Sequence, residues 1–262
     1  MNVKEGHYRI NNQELWCNLI YSGNGDFRPT LVFLHDALGS VAGWKTFPLN
    51  LCQKLQLNGL IYDRKGHGKS ETFEGNYKRD YMQEEALYTL PAVLKEFKIN
   101  NPIFIGHSDG GTIALIFESM FKRSIAIVSI AGHAMVEEVT REGIIEAVDQ
   151  FERPDIYSRL QKYHGDKTKQ LVSNWQEIWL SDEFSSWDIS ANISSIECPC
   201  LIMQGMEDEY ATPKHARLIA DSVGTNAELI LMEGLKHFPH RESPEKVINE
   251  VNLFINKMIL PQ

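Results

Sequence analysis

"PIFIGHSDGGTIALIF", residues 102–117, joins a short apolar run to a stretch whose apolar residues recur at helical spacing, through a G-x-S-x-G pentapeptide. Alone, that pentapeptide is a weak signal; between a buried strand and a helix it marks a tight turn that lifts its serine onto an exposed tip. Side chains at Gly106 and Gly110 would clash where the turn brings backbone segments together. Ser108 is therefore a candidate nucleophile, the alternative being an ordinary turn serine. Its neighbour Asp109 raises a question, because it puts a carboxylate beside a group that must work next to a developing negative charge.

On either side of this turn, short apolar runs alternate with longer amphipathic stretches, the pattern of βα units on a parallel sheet. Strands are predicted at 30–35, 60–63, 103–106, 125–132, 200–205 and 228–234, with an antiparallel edge hairpin from "HYRI" and "LWCNLIYSG", about eight strands in all. Helices are predicted at 44–55, 79–97, 110–122, 214–223 and 243–259. In the last, Ser243 is an N-cap candidate, Pro244 takes the first helical position and Glu245 lies in the first turn. Residues 133–190 break the alternation with helical spacing and no convincing strand, so a helical cap inserted into a core of residues 1–132 and 191–262 is expected.

Bulk properties narrow the function classes. At 262 residues the chain is long enough for one large domain with an insertion. A net charge of -9 with no dense Lys/Arg stripe argues against nucleic acid as a partner. No run approaches ~18 consecutive apolar residues and the start lacks a signal-peptide core, so a cytoplasmic protein with no membrane partner is expected. Cys17, Cys52, Cys198 and Cys200 lack disulfide-scaffold or metal spacing and read as buried free thiols. Neither HExxH nor a strand-following GxGxxG occurs, so no metal and no cofactor is expected. The implied partner is a small-molecule substrate; oligomeric state is not written in this pattern.

Four motifs in order give the chain a family resemblance over nearly its whole length. "LHDALGS" (34–40) looks like the oxyanion loop of the α/β-hydrolase superfamily, and "YDRKGHGKS" (62–70) like its D-R-x-G-x-G-x-S segment. "QGMEDEY" (204–210) resembles the strand end that bears the acid, and "GLKHFPHRESPE" (234–245) the loop that bears the base. The resemblance implies an α/β-hydrolase fold: a mostly parallel eight-stranded sheet flanked by helices, with a helical cap.

A serine hydroxyl needs a base to take its proton and a third group to orient that base. The family's chain order of serine, acid and histidine implies Ser108, Asp208 and His237. Among nine histidines, His237 and His240 lie in the right loop, and the motif alignment selects His237, with His240 as the alternative. Glu207 and Glu209 compete with Asp208 for the acid role; their simpler reading is solvated loop charge or a helix-start pair.

Acyl transfer also needs backbone N–H donors for the oxyanion, each contributing ~3 to 4 kcal/mol. The donors implied are those of Asp109 and Ala37. Asp36 departs from the family, where glycine is common; aspartate tolerates positive φ better than most residues. With Asp36 and Asp109 both near Ser108, the pocket is expected to disfavour carboxylate-bearing substrates. Asp109 is expected to point away from the oxyanion, and a bond from its carboxylate to the Asp36 loop would hold both donors in place. Asp63 and Arg64 read as structural, a buried ion pair or backbone anchor for the turn at Gly66 and Gly68.

Pocket candidates are His35, Asp36, Trp175, Trp179 and His164. "WQEIW" is first a packing stripe, and His164 first a structural loop residue. The reading is a cofactor-independent serine hydrolase of a small, mostly neutral carboxylic ester. Carbon–carbon bond hydrolases, lactonases and thioesterases use the same triad and remain alternatives, as does a ligand-binding relative without turnover. Haloalkane dehalogenases and epoxide hydrolases are disfavoured, because they carry aspartate where this chain has Ser108.

Overall fold

One mostly parallel sheet organises the chain, whose computed structural model describes residues 1–23 and 29–259, the side chains of Met258 and Ile259 excepted. Its strands are β1 (Asn2–Ile10), β2 (Gln13–Tyr21), β3 (Thr30–Leu34), β4 (Asn58–Tyr62), β5 (Pro102–His107), β6 (Ala126–Ile130), β7 (Cys200–Gly205) and β8 (Ala227–Met232). Their spatial order is β1-β2-β4-β3-β5-β6-β7-β8. The pairings β1–β2 and β2–β4 are antiparallel and the rest parallel.

The helices are α1 (Phe47–Leu55), α2 (Tyr81–Glu84), α3 (Leu90–Glu96), α4 (Asp109–Phe121), α5 (Glu138–Phe151), α6 (Pro154–His164), α7 (Thr168–Leu180), α8 (Ser190–Ile193), α9 (Pro213–Val223), α10 (Pro239–Glu242) and α11 (Pro244–Ile259). No described helix is long and apolar enough to cross a membrane.

Both faces of the sheet are covered, because successive side chains of a strand point to opposite sides. Leu31, Phe33, Ile103, Ile105 and Val128 pack with α1 and α11 on one side. Val32, Leu34, Phe104 and Ile127 pack with α3, α4 and α9 on the other. All four cysteines are buried and free; burial pushes the thiols of Cys17 and Cys52 up to about 12, which leaves them inert as nucleophiles.

Several boundaries differ from the sequence expectation, three of them for a plain physical reason. β1 begins at Asn2, well before "HYRI", because antiparallel pairing from Asn2↔Tyr21 onward holds a polar edge that alternation alone does not reveal. The helix expected at 79–97 becomes α2, a π-helical turn at Glu85–Thr89, and α3. Pro91 lies just beyond the wide turn; its ring crowds the carbonyl four residues back and it has no N–H to give. β6 stops at Ile130 rather than 132, since Ala131 turns to φ 52°.

Between β6 and β7 the chain forms α5, α6, α7 and then α8, and an antiparallel bridge of Met135 with Asp188 closes the base of this excursion. The sheet reverses its winding at β3: β4 lies to one side of it and β5 to the other. The loops leaving β3 and β5 therefore diverge, and a crevice opens at their carboxyl ends, where ligands of such sheets bind.

Candidate active site

Ser108 stands at that crevice, between β5 and α4, with φ 52° and ψ -120°. This left-handed conformation is costly for a residue with a Cβ and persists because its surroundings fix it. The Ser108 N–H donates to the Ile130 carbonyl at 2.8 Å, and the Ser108 carbonyl accepts from Gly111 N at 2.9 Å and Thr112 N at 3.1 Å. A Cβ on Gly110 would lie 1.9 Å from the Leu34 carbonyl oxygen, so α4 starts against β3 only because that residue is glycine. Ser108 lines a cavity of about 290 Å3.

The loops after β7 and β8 bring an acid and a histidine to the same place. Gly205 lets them approach, since a Cβ there would meet the Leu235 and Lys236 carbonyls at 2.2 Å. His237 Nδ1 lies 2.9 Å from each Asp208 carboxylate oxygen, and both side chains are buried. Asp208 also accepts from Tyr210 N at 2.8 Å. Burial disfavours the His237 cation, but the Asp208 charge and hydrogen bond outweigh it and raise the His237 pKa above its ordinary value. Conversely, burial works against the Asp208 charge, and His237 outweighs it to hold that pKa low.

None of the competing residues stands in for Asp208 or His237 in this contact. Glu207 is exposed, and Glu209 is exposed and accepts the His237 backbone N–H at 3.2 Å. His240 is buried, packed against Trp44 and His107 at ring distances of 4.8 Å and 4.5 Å.

The loop after β3 is held from behind by three imidazoles. His35 Nδ1 donates to the Asp36 carbonyl at 2.8 Å while its Nε2 accepts from Arg64 N at 3.0 Å. His67 Nε2 donates to the Ala37 carbonyl at 2.9 Å. His164 Nε2 donates to the Leu38 carbonyl at 3.0 Å, and its Nδ1 accepts from Gly68 N at 2.9 Å. Burial and the Arg64 charge push His35 down to about 3, and burial first of all lowers His67 and His164 as well. His35 and His164 each donate from one nitrogen and accept at the other, which requires a neutral ring; His67, whose Nδ1 faces the Lys65 carbonyl at 3.1 Å, is kept neutral by burial and the Arg64 charge. His35 and His164 therefore buttress the loop and are not among the residues lining the cavity, a correction to their place among the pocket candidates.

With their carbonyls or flanking residues so tied, the N–H groups of Ala37 and Asp109 both lack an acceptor in the described protein, and both residues line the cavity beside Ser108. Two such donors beside a serine can bind an oxyanion.

Asp36 lines the cavity too, with its carboxylate 3.4 Å from His107 Nδ1 and 3.9 Å from Arg241 Nη2. Burial opposes its charge, yet His107 and Arg241 hold its pKa well below the usual carboxylate range. Asp109 behaves differently. Its carboxylate turns into the protein, accepting from Tyr81 Oη at 2.8 Å and from Arg64 at 3.5 Å. It does not bond the Asp36 side chain directly. Arg64 lies between, donating from Nη2 to the Asp36 carbonyl at 2.8 Å.

Of the two sequence readings of Asp63 and Arg64, an ion pair or a backbone anchor, Asp63 follows the second. Asp63 anchors the turn by accepting from Val41 N at 2.6 Å and Lys69 N at 2.8 Å, while Arg64 reaches Asp109 and the loop after β3.

Trp175 and Trp179, both buried, line the cavity. So do Phe151 and Tyr163, and with them Ile144 and Ala147 of α5, Tyr210, Phe238 and Arg241, the last five of which the sequence did not assign to the pocket. Helical spacing of Thr140, Ile144, Ala147 and Phe151 does mark one face of α5, but nothing in that spacing says which partner the face covers. Among the described residues no group of three His, Cys, Asp or Glu side chains is arranged to hold a metal ion.

Comparison with known proteins adds the family. Residues 31–250 match the alpha/beta hydrolase family. The chain is 24% identical to a proline iminopeptidase of Saccharolobus solfataricus, an alignment covering 98% of this chain and 94% of that protein. It is 23% identical to a non-heme haloperoxidase of Rhodococcus erythropolis over 84% of this chain and 89% of the other. In three dimensions it resembles the enol-lactonase of Burkholderia xenovorans, with a TM-score of 0.77 at 19% identity over 95% of this chain and 99% of that one.

Proposed function

Because this chain belongs to the alpha/beta hydrolase family, we propose that it hydrolyses a small, mostly neutral carboxylic ester with Ser108 as nucleophile, His237 as base and Asp208 as the group that orients it. The observation that carries this reading is the 2.9 Å Asp208–His237 contact at the wall of the cavity that Ser108 also lines. Asp208 fixes the proton on His237 Nδ1, which leaves Nε2 as the acceptor a serine hydroxyl needs.

In the first half-reaction Ser108 Oγ bonds to the ester carbonyl carbon and its proton passes to His237. The oxyanion sits on the N–H groups of Ala37 and Asp109, and collapse expels the alcohol, which takes the proton from His237. Water, deprotonated by His237, then attacks the acyl-serine and releases the acid. Residues 133–190 serve as the cap of a core formed by 1–132 and 191–262. Apolar cavity walls from Ile144, Phe151, Trp175 and Trp179 support a small acyl or alcohol group rather than a polymer.

One observation favours a second reading. An ionised Asp36 in the cavity wall would pair with a protonated amine, and a relative similar over nearly the whole chain is named a proline iminopeptidase. Parallel assays of a neutral aryl ester and a proline arylamide separate the two. Replacing Ser108 by Ala is expected to abolish turnover of whichever substrate is cleaved, by ~10^4-fold or more; full activity in that variant overturns both readings.

A further inference from the structure

A chain of buried hydrogen bonds joins the helical insertion to both oxyanion donors. It begins at Trp179 of α7, whose ring lines the cavity and whose Nε1 donates to Tyr81 Oη at 2.9 Å. Tyr81 in turn donates to Asp109 Oδ2 at 2.8 Å. Arg64 bridges onward, 3.5 Å from the same carboxylate oxygen and 2.8 Å from the Asp36 carbonyl. Trp179, Tyr81, Asp109 and Arg64 are all buried, so water offers none of them a ready substitute partner.

We infer that Tyr81 and Trp179 are positioning residues for the oxyanion hole, so that contact of a substrate with the insertion is transmitted to the N–H groups of Asp109 and Ala37. This rests on the serine-hydrolase reading above and adds to it the residues that set the hole's geometry.

Three features carry the inference. First, Asp109 contributes both a fixed carboxylate and a free N–H, so whatever holds the side chain sets the direction of that donor at the first turn of α4. Second, the Asp36 carbonyl belongs to the peptide whose N–H is that of Ala37. It accepts from Arg64 Nη2 and from His35 Nδ1, and such bonds polarise the peptide and strengthen the N–H at its other end. Third, Trp179 is both the start of the chain and part of the cavity wall, packed edge-on against His133 at a ring distance of 5.2 Å and Phe184 at 4.9 Å. A ligand that shifts the indole therefore moves the partner of Tyr81.

Removing the Tyr81 hydroxyl leaves the buried Asp109 carboxylate with only the two long Arg64 contacts. The loss falls on a site that binds charge present in the transition state and absent from the ground state. Such a loss lowers kcat and kcat/KM together and leaves KM in place, whereas loss of ordinary binding raises KM.

The test compares wild type with Tyr81→Phe and Trp179→Phe, both of which keep the aromatic packing. A neutral aryl ester gives kcat and KM, a fluorophosphonate gives the rate of Ser108 labelling, and thermal unfolding gives the stability of each variant. The expected result is a fall in kcat of ~10-fold for Tyr81→Phe, below the ~10^2- to 10^3-fold cost of removing one oxyanion donor outright because the donor is displaced and not lost, and a smaller fall for Trp179→Phe. KM should be unchanged and labelling should slow in proportion. Labelling at the wild-type rate in Tyr81→Phe, or a change confined to KM, overturns the inference alone. Wild type that resists the fluorophosphonate overturns the serine-hydrolase reading and the inference with it.

Discussion

His164 Nε2 donates to the Leu38 carbonyl at 3.0 Å, across 126 residues of chain, and so ties the end of α6 to the loop that follows β3. With His35 and His67 it makes a row of neutral imidazoles behind three successive carbonyls of that loop. A ring buried neutral in the folded chain but free to protonate when unfolded makes stability depend on pH.

The sign follows from proton counts. The folded pKa values of His35, His67 and His164 lie below the ordinary 6.5, with His35 at about 3. Their contribution is fully present above pH ~6.5 and is lost as pH falls toward 3, since only the unfolded chain binds protons in that window. Each group that stays neutral steepens the loss by about 1.4 kcal/mol per pH unit. His237, whose pKa is raised, works in the opposite sense: its contribution is present below 6.5 and is lost as pH climbs through its folded value. His107, His133, His215 and His240 are lowered by burial too, while burial raises the carboxyls of Asp63, Glu85 and Asp109, which act in the same sense as His237. The seven lowered rings outnumber these four groups, so urea midpoints measured from pH 7.5 to 4.5 should fall. A flat profile contradicts the assignment of the buried imidazoles as neutral.

Activity should show a different profile. As the proposed base, His237 would work only when neutral, so its raised pKa should put the acid limb of kcat/KM above pH 6.5. Asp208→Asn removes the group that raises it, so the limb should move to lower pH while kcat drops by ~10^4-fold. A limb that does not move would mean that Asp208 does not face the titrating base.

Asp36 should act on selectivity rather than chemistry. Its carboxylate is ionised in the cavity wall, and like charges about 4 Å apart repel by ~1 to 4 kcal/mol depending on the local dielectric. Wild type should therefore discriminate against a succinyl half-ester relative to the matching neutral ester. Asp36→Asn should narrow that gap by ~10-fold, equivalent to about 1.4 kcal/mol, with the neutral ester little affected. A wild-type preference for the anionic ester would contradict this.

Gly110→Ala is expected to destabilise the fold severely. The added methyl would lie 1.9 Å from a backbone oxygen of β3, which cannot yield like a side chain. Overpacking of a tight core costs ~1 to 3 kcal/mol, and a backbone clash belongs at or above the upper end. Chemical denaturation reads the effect directly; stability unchanged from wild type would mean that the elbow does not pack as described.

Much of this architecture was legible because the central strands are short apolar runs buried on both faces, and "CLIMQG" gave β7 to the residue. The juxtaposition of Asp208 and His237 was legible through local motifs with fixed places at strand ends. Contacts made across long sequence separations were not. Arg64 turning from Asp63 to Asp109 depends on where the β4 and β5 loops meet, and His164 bracing Leu38 depends on how α6 docks. Neither is encoded in spacing. The pocket face of α5 was visible as periodicity but not as a wall of the cavity, because periodicity names a buried face and not its partner. The break at Glu85–Thr89 arose from Pro91, whose effect on the preceding turn outweighs a continuous helical pattern.

The most direct test of the central claim is the site of acylation. The protein is mixed with an activated aryl ester, quenched in acid within the first turnover, digested, and mapped by mass spectrometry. The expected result is the acyl mass on the peptide containing Ser108, absent in Ser108→Ala and accumulating more slowly in His237→Ala. Turnover without an adduct on that peptide, or an adduct on any other residue, would contradict Ser108 as the nucleophile.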